Sequence, residues 1–400
     1  MNENSKEKQD KKPEIVKAVD SLRPVIEDIA VSLYKNPETG LNEYFASEKL
    51  TGILKENGFS VEAGVADLPT AFVARVGANR PNIAFMAEYD ALPGIGHGCG
   101  HNLMAAVAVA AGIAMSRVCP PEECGASWTV LGTPAEETVG GKVIMVEKGV
   151  FKDVDAAFIA HPGQTNSVGG GVYWASHPLE ITFHGRTSHA GGNPEAGINA
   201  LDACVHAYIA IRNLRNHLKD SVRIAGIITH GGHAQNIVPD VAQMRFTLRS
   251  TDWRYLENVV IPKVKQAAEG AAQMVGCTVD FRHHEMLFRE TLEYPVLKRI
   301  CAQNFAYVGA EVPPPDPSYA GGGVTDVGSV TWVVPAIQIG FSATSARGHS
   351  VEFAESTVTP RGIDAAVMAA KVLALSAYDI VAEPHLLEEA KAHLRERLST

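Results

Sequence analysis

Positive charge is scarce in this chain. Lys and Arg total 35 against 45 Asp and Glu, a formal net charge of −10. That balance excludes the basic stripe by which proteins hold nucleic acid or an anionic membrane surface, and no partner of either kind is expected. Long apolar runs are missing too. The longest, residues 103–115, is well short of the ~20 residues a bilayer-spanning helix needs. The opening "MNENSKEKQDKKPE" has no apolar core of the kind a secretory leader carries. Only 6 cysteines occur in 400 residues, without regular spacing. A disulfide framework is thereby excluded, and free thiols in a reducing compartment, the cytoplasm, are expected. No Gly-x-Ser-x-Gly appears, which removes the nucleophile elbow of serine hydrolases. "GGGVTDVGSV" lacks the lysine after Gly328 that a phosphate-binding loop would require.

What is present is concentrated in "GIGHGCGHNLMAAVAVAAG", residues 94–112. Its glycines fail the dinucleotide fingerprint, because Cys99 and His101 stand where the third glycine would be needed. The stretch instead places a thiol and imidazoles at the mouth of an apolar helix.

At 400 residues, with 46% hydrophobic and 20% charged side chains, the chain has room for two domains, or for one domain with an insertion. The first fourteen residues read as disordered, with one helix following through Tyr34. "NPETGLNE" is a turn, and "ASEKLTGILKENGF" is an amphipathic helix ending at Gly58. Strand-like runs follow in "TAFVARVG", "NIAFMAEYD", "SWTVLGTPAEE" and "VDAAFIAHPG", with helices over residues 102–117 and 140–147. This alternation predicts an α/β domain with a mostly parallel sheet. From His177 the order becomes β-α-β-β-α-β, and the α/β pattern resumes after Tyr294. The expected division is a discontinuous catalytic, metal-binding domain, 1–176 with 294–400, interrupted by a lid at 177–293.

In open α/β sheets ligands bind beyond the carboxyl ends of the strands. Four candidate positions fall there: Glu88 and Asp90, Glu136 and Glu137, His161, and His349 beyond "VVPAIQIGF". A lone histidine at a strand end is usually structural. Two adjacent glutamates after a buried strand are harder to account for, because like charges cost free energy there unless a cation or a catalytic task offsets them. With Cys99 and His101 added, the S, N and O donors suit Zn²⁺ or a neighbouring first-row ion. One glutamate can ligate while the other serves as a base.

These motifs, in this order, resemble the M20 family of metallopeptidases and amidohydrolases, in the branch whose ligand motif is Cys-Gly-His. The similarity runs through "NPETGLNE", "EYDALPGIGHGCGHN", "TPAEE", "HPG", "GRTSHAGGNPEAGINALDA", "GGHAQNIVPD" and "GHSVEF". It implies a zinc-peptidase-like catalytic domain with an inserted lid and dimerisation domain. The implied metal ligands are Cys99, His101, Glu137, His161 and His349, holding one or two divalent ions (Zn, Mn, Co or Ni). Glu136 is the implied general base, and Asp90 the acid that orients a ligating histidine. His189 would stabilise the oxyanion from the partner chain of a homodimer, and Asn236 would contact substrate. Gly322, Gly323 and Thr325 would line the pocket.

The implied reaction is hydrolysis of an amide in a small N-acyl amino acid, dipeptide or aryl amide. Two rival readings are a hydrolytic deaminase of aromatic amines on the same site and a binding protein that keeps the fold without catalysis. Two positions depart from the family pattern: Glu88, where many members have histidine, and Asn102, where the amidohydrolases often have aspartate. His97 has the character of a spare ligand.

Overall fold

The computed structural model describes residues 10–169, 173–284, 286–314 and 323–399. Gly322 lies outside them. The chain divides into two compact units. One comprises Met1–Gly171, Leu292–Tyr319 and Ser329–Thr400; the other comprises Val172–Thr291 and Ala320–Gly328.

The first unit is built on a seven-stranded sheet of β1 (Ser60–Ala63), β2 (Phe72–Val76), β3 (Asn82–Ala87), β4 (Ser127–Gly132), β5 (Ala156–Gly163), β6 (Ser167–Val168) and a late strand, Ala336–Ser342. Their spatial order is β1-β2-β4-β3-β5, then the late strand, then β6. The four central strands are parallel. β1, β2 and β6 pair antiparallel at the two edges. The sheet is therefore mixed, and less parallel than the strand–helix alternation predicts. β1 and β2 are joined by a short connection that leaves no room for a crossover helix.

β3 and β4 are buried at every position, as strands covered on both faces must be. Helix His101–Val118 packs on them and is itself buried from His101 to Met115. It and Pro360–Ala382 are long and apolar enough to cross a membrane, but 83% and 72% of their apolar windows are buried inside the protein. Both are core helices here. The amino-terminal helix begins at Lys12, within the stretch expected to be disordered. The single helix expected through Tyr34 is two, Lys12–Ser21 and Arg23–Lys35. Pro24 accounts for the break, since its ring cannot follow an unbroken preceding turn.

The second unit holds β7 (Ala175–His184), β8 (Val222–His230), β9 (Val241–Ser250) and β10 (Thr278–Arg282). They form a fully antiparallel sheet of order β10-β7-β9-β8. Helices Ala200–Asn213 and Ile261–Val275 complete the β-α-β-β-α-β order. Leu179, Ile181 and Phe183 of β7 and Phe246 of β9 share a core with Ala203, Cys204, Ala207, Val264 and Ala268 of the helices. Asn199 caps the first helix, its side chain accepting from the Leu201 N–H at 3.0 Å. The late strand of the first unit is β11 (Ala336–Ser342).

Candidate metal centre

Parallel neighbours end on the same side, so the carboxyl ends of β4, β3, β5 and β11 lie along one margin of the first unit's sheet. β3 leads to Glu88 and Asp90, β4 to Glu136 and Glu137, and β5 carries His161 in register with Gly340 of β11. Helix His101–Val118 starts beside them, and Cys99 immediately precedes its cap. Gly100, between the two ligand candidates, has φ 80°. A Cβ there would sit 2.4 Å from Pro162 Cγ, beside His161. Only glycine allows this left-handed, close approach.

The donors converge in three groups whose ligand atoms lie within 4.8 Å of one another: Cys99, His101 and His161; Cys99, Glu137 and His349; and His101, Glu136 and Glu137. All five expected ligands and the expected base are included. His97 is in none of the three groups. It is 1% exposed, and burial pushes its pKa down to about 4.

Asp90 organises two of the ligands at once. Oδ1 accepts from His101 Nδ1 at 2.8 Å, and Oδ2 accepts from the Glu137 backbone N–H at 3.0 Å. With Nδ1 donating, Nε2 of His101 is the nitrogen left for a cation. His161 is fixed in the same sense, Nδ1 donating to the Pro162 carbonyl at 2.8 Å while Nε2 lies 3.4 Å from Cys99 Sγ. His349 Nε2 is 3.4 Å from Glu137 Oε1. Its backbone N–H donates to Gly98 O at 2.9 Å, which ties the last ligand loop to the glycine-rich one.

Glu88, noted above as a departure, and Lys142, which sequence reasoning missed, complete the interior of the site. Glu88 Oε2 lies 3.2 Å from His101 Nε2, and Glu88 Oε1 lies 2.6 Å from Nζ of Lys142. Both side chains are buried, Lys142 entirely. The only sequence signal for Lys142 is its place in the short apolar helix that follows "TPAEETVG". Asn102, the other departure, donates to Ala30 O at 3.0 Å and to Thr357 Oγ1 at 2.9 Å. It fastens its helix to neighbouring elements.

Burial and the neighbouring charges set the protonation preferences of these groups in opposite senses. Burial raises the Cys99 thiol to about 12, although His101 opposes the shift. Burial also works against a charged His101, but Asp90, Cys99 and Glu88 carry its pKa well above the usual imidazole range. Asp90 is likewise penalised by burial, yet His101 and the Glu137 N–H hold it below the usual carboxylate range. Among the described residues, Glu137 Oε1 and His101 Nε2 are buried without a directed hydrogen bond. Unsatisfied N and O atoms converging with a thiol sulfur are what a divalent cation relieves, so these residues fit a metal.

Four expected site residues belong to the second unit. His189 is exposed, and its Nδ1 accepts from the N–H groups of Gly191 at 3.2 Å and Gly192 at 2.9 Å. Asn236 is exposed, and its carbonyl accepts from the Ala190 N–H at 3.0 Å, so the two motifs "GRTSHAGG" and "GGHAQNIVPD" are neighbours. Gly323 O accepts from the Trp174 N–H at 2.9 Å, and buried Thr325 lies at the start of the following helical turn.

A family model described as the peptidase dimerisation domain matches residues 176–272. The Xaa-Arg dipeptidase of Mus musculus is 33% identical over 387 residues, covering 92% of this chain and 88% of its own length. One component of the p-aminobenzoyl-glutamate hydrolase of Escherichia coli is 33% identical over 283 residues, 66% of this chain and 59% of its own. The fold is that of a dinuclear metal-binding M20 peptidase from Bacillus subtilis, with a TM-score of 0.69 at 20% identity, covering 91% and 99% of the two chains. A margin of donors built for a divalent ion, and a relative this similar over nearly its whole length, lead to one conclusion: the chain belongs to the M20 family of metallopeptidases and amidohydrolases, hydrolases acting on C–N bonds.

Proposed function

We propose that this protein hydrolyses the amide bond of a small N-acyl amino acid, dipeptide or aryl amide, with Glu136 as general base. The observation that carries the reading is the placement of Glu136. It is adjacent to the ligand candidate Glu137 and within 4.8 Å of both Glu137 and His101, at the donor cage. The names of the two relatives, a dipeptidase and an aminobenzoyl-glutamate hydrolase, support an amide flanked by an amino acid.

Cys99, His101, Glu137, His161 and His349 would hold the metal. Cys99, His101 and Glu137 each belong to two of the three groups, which supports a site for one or two ions, drawn from Zn, Mn, Co or Ni. The metal supplies Lewis acidity toward the substrate carbonyl and acidifies a water molecule. Glu136 removes a proton from that water as its oxygen bonds to the carbonyl carbon. It then delivers the proton to the nitrogen as the C–N bond breaks, releasing acid and amine. Asp90 keeps His101 in one tautomer throughout.

His189 is suited to the oxyanion role by its own turn. The N–H groups of Gly191 and Gly192 occupy Nδ1 as an acceptor, which leaves the proton on Nε2 as an outward donor. Asn236, Gly323 and Thr325 remain the candidate substrate contacts. The lid's helix Ala200–Asn213 exposes Val205 and Ile209, and its edge strand β8 exposes Ile227 at 64%. An unpaired apolar edge of this kind supports a symmetric homodimer with the lid as its contact. Six free cysteines support a reducing compartment, the cytoplasm.

The test is chelation followed by metal restoration, read with product analysis on a panel of N-acyl amino acids, dipeptides and aryl amides. Turnover should vanish and return with the ion, yielding acid and amine. Full turnover in protein shown to be metal-free by elemental analysis overturns the reading. Release of ammonia from an aromatic amine selects the deaminase, and tight binding without turnover selects a non-catalytic protein.

A further inference from the structure

The turn "NPETGLNE", residues 36–43, takes no part in the chemistry above, yet it touches both loops that carry it. The Glu38 carboxylate accepts from the N–H groups of Phe45 and Ala46, each at 3.0 Å, capping helix Tyr44–Glu56. The Glu38 carbonyl accepts from the Ala91 N–H at 2.7 Å, next to Asp90. Gly40 presses on the other loop: a Cβ there would be 2.2 Å from Thr138 Oγ1 and 3.0 Å from Ala135 Cα.

Glu43 closes the contact. It is 0% exposed. Oε1 accepts from the Ala135 N–H at 2.8 Å, and Oε2 accepts from Thr70 Oγ1 at 2.8 Å. Thr70 is held in turn, its carbonyl accepting from Tyr89 Oη at 2.6 Å. Ala135 has φ 61°, a left-handed conformation that costs free energy in any residue with a Cβ and persists only where the surroundings enforce it. Two residues later the Glu137 N–H is held by Asp90. Glu136 therefore sits on a strained turn pinned at one end by Glu43 and at the other by Asp90.

We propose that Glu43 is a positioning residue for the general base: by accepting the Ala135 N–H it holds the turn that aims Glu136. The inference rests on Glu136 being the base. Without the acceptor, a buried N–H is orphaned and the strained turn relaxes. A displacement of Glu136 by ~1 Å is enough to cost ~10²-fold in rate. The ligands hang on other elements or on Asp90, so metal binding should survive.

The experiment compares Glu43→Leu, Glu43→Gln and Thr70→Val, with Glu136→Gln as control, reading kcat, KM and metal content. Glu43→Leu should lower kcat by ~10–10²-fold, leaving KM within about threefold and metal stoichiometry at the wild-type value. Glu43→Gln keeps an oxygen toward Ala135 and an amide toward Thr70, and should recover most of the loss. Thr70→Val frees Oε2 and should show a smaller kcat loss of the same kind; it decides the matter if Glu43→Leu does not fold. Wild-type kcat in a folded Glu43→Leu (or in Thr70→Val where the former is unfolded) overturns the proposal. So does a Gln variant as impaired as Leu, or a loss of kcat that tracks loss of metal. If Glu136→Gln keeps its activity, the assignment of the base fails whatever Glu43 does.

Discussion

In the first unit Glu88, Asp90, His101 and Lys142 are each 1% exposed or less and linked in a chain of close contacts, Lys142 to Glu88, Glu88 to His101 and His101 to Asp90. In the second, His189 and Asn236 stand at the surface, and the His189 ring accepts from two N–H groups of its own turn. Burial on this scale fixes rotamers and tautomers before any ligand arrives, which is what a metal centre requires. Exposed loop residues gain further partners only from another surface. The difference teaches that the first unit carries a preorganised set of donors, whereas the second carries residues whose proposed roles need company.

The sharpest way to break this contrast is to separate the two units' contributions genetically. Glu136→Gln should lower kcat by ~10²–10⁴-fold and retain metal, whereas Glu137→Gln should also lose metal by elemental analysis. Equal metal loss in both variants would reverse the two roles. His189→Ala should cost ~10²–10³-fold. Mixing inactive His189→Ala and Glu136→Gln proteins under subunit exchange should then restore about a quarter of wild-type activity. Half the dimers are mixed, and each of those has one site with both good residues. Demonstrated exchange with no recovery removes the shared site.

A more local lever is the edge strand. Ile227→Lys places a charge on the exposed β8 and should shift the protein from dimer to monomer in sedimentation. Activity should fall to the level of His189→Ala while metal content holds. A monomer with full activity would make the lid's residues self-sufficient. Within the centre, Asp90→Asn should weaken metal affinity by ~10–10²-fold, measured by chelator competition, because both His101 and Glu137 lose their anchor.

The smallest effects concern stability and pH. Asp155 of the first unit is 5% exposed and accepts from the Asn82 N–H, Arg80 and Lys391. Glu180 of the second unit is held by Arg245 and Arg282, whose side chains are 46% and 66% exposed. Burial works against both charges, but the cations and N–H groups hold both carboxyls below their usual range. A depressed folded-state pKa contributes stability that is present above the unfolded value and lost as pH falls through the folded one. Urea unfolding at neutral pH should therefore show Asp155→Asn destabilised by ~2 kcal/mol and Glu180→Gln by ~1 kcal/mol or less. Both differences should shrink toward pH 3. Equal losses would mean that the exposed Arg245 and Arg282 hold the buried Glu180 as firmly as its partners hold Asp155.

Much of the site was legible because its residues sit where local sequence marks them. Buried strands read as apolar runs, and Glu136, Glu137 and His161 follow such runs directly. Cys99 and His101 stand at the mouth of an apolar helix, and His349 lies beyond the apolar run "VVPAIQIGF". Lys142 and Glu43 were not legible in their roles. A lysine in "GKVIMVE" reads as a surface residue, and nothing local shows that Glu88, far back in the chain, will neutralise it. "NPETGLNE" reads correctly as a turn, but its work lies in contacts with Ala91 and Ala135, which no spacing reveals. The split of the first helix is legible in principle from Pro24 alone. The antiparallel edges of the large sheet are not, since a strand's own sequence does not state which neighbour it will pair with.

The sequence by itself determined the order of most strands and helices, the candidate donors at the strand ends and the pair of adjacent glutamates. These follow from hydrophobic period and side-chain chemistry, which are properties of the chain. Only the tertiary structure decided which nitrogen of each histidine is free, that one aspartate anchors two ligands, and that a buried lysine stands behind Glu88. It also decided that a distant turn clamps the strained residue before the base. Those are matters of distance and direction between segments remote in sequence, and they come into existence only when the sheet brings its strand ends to one margin.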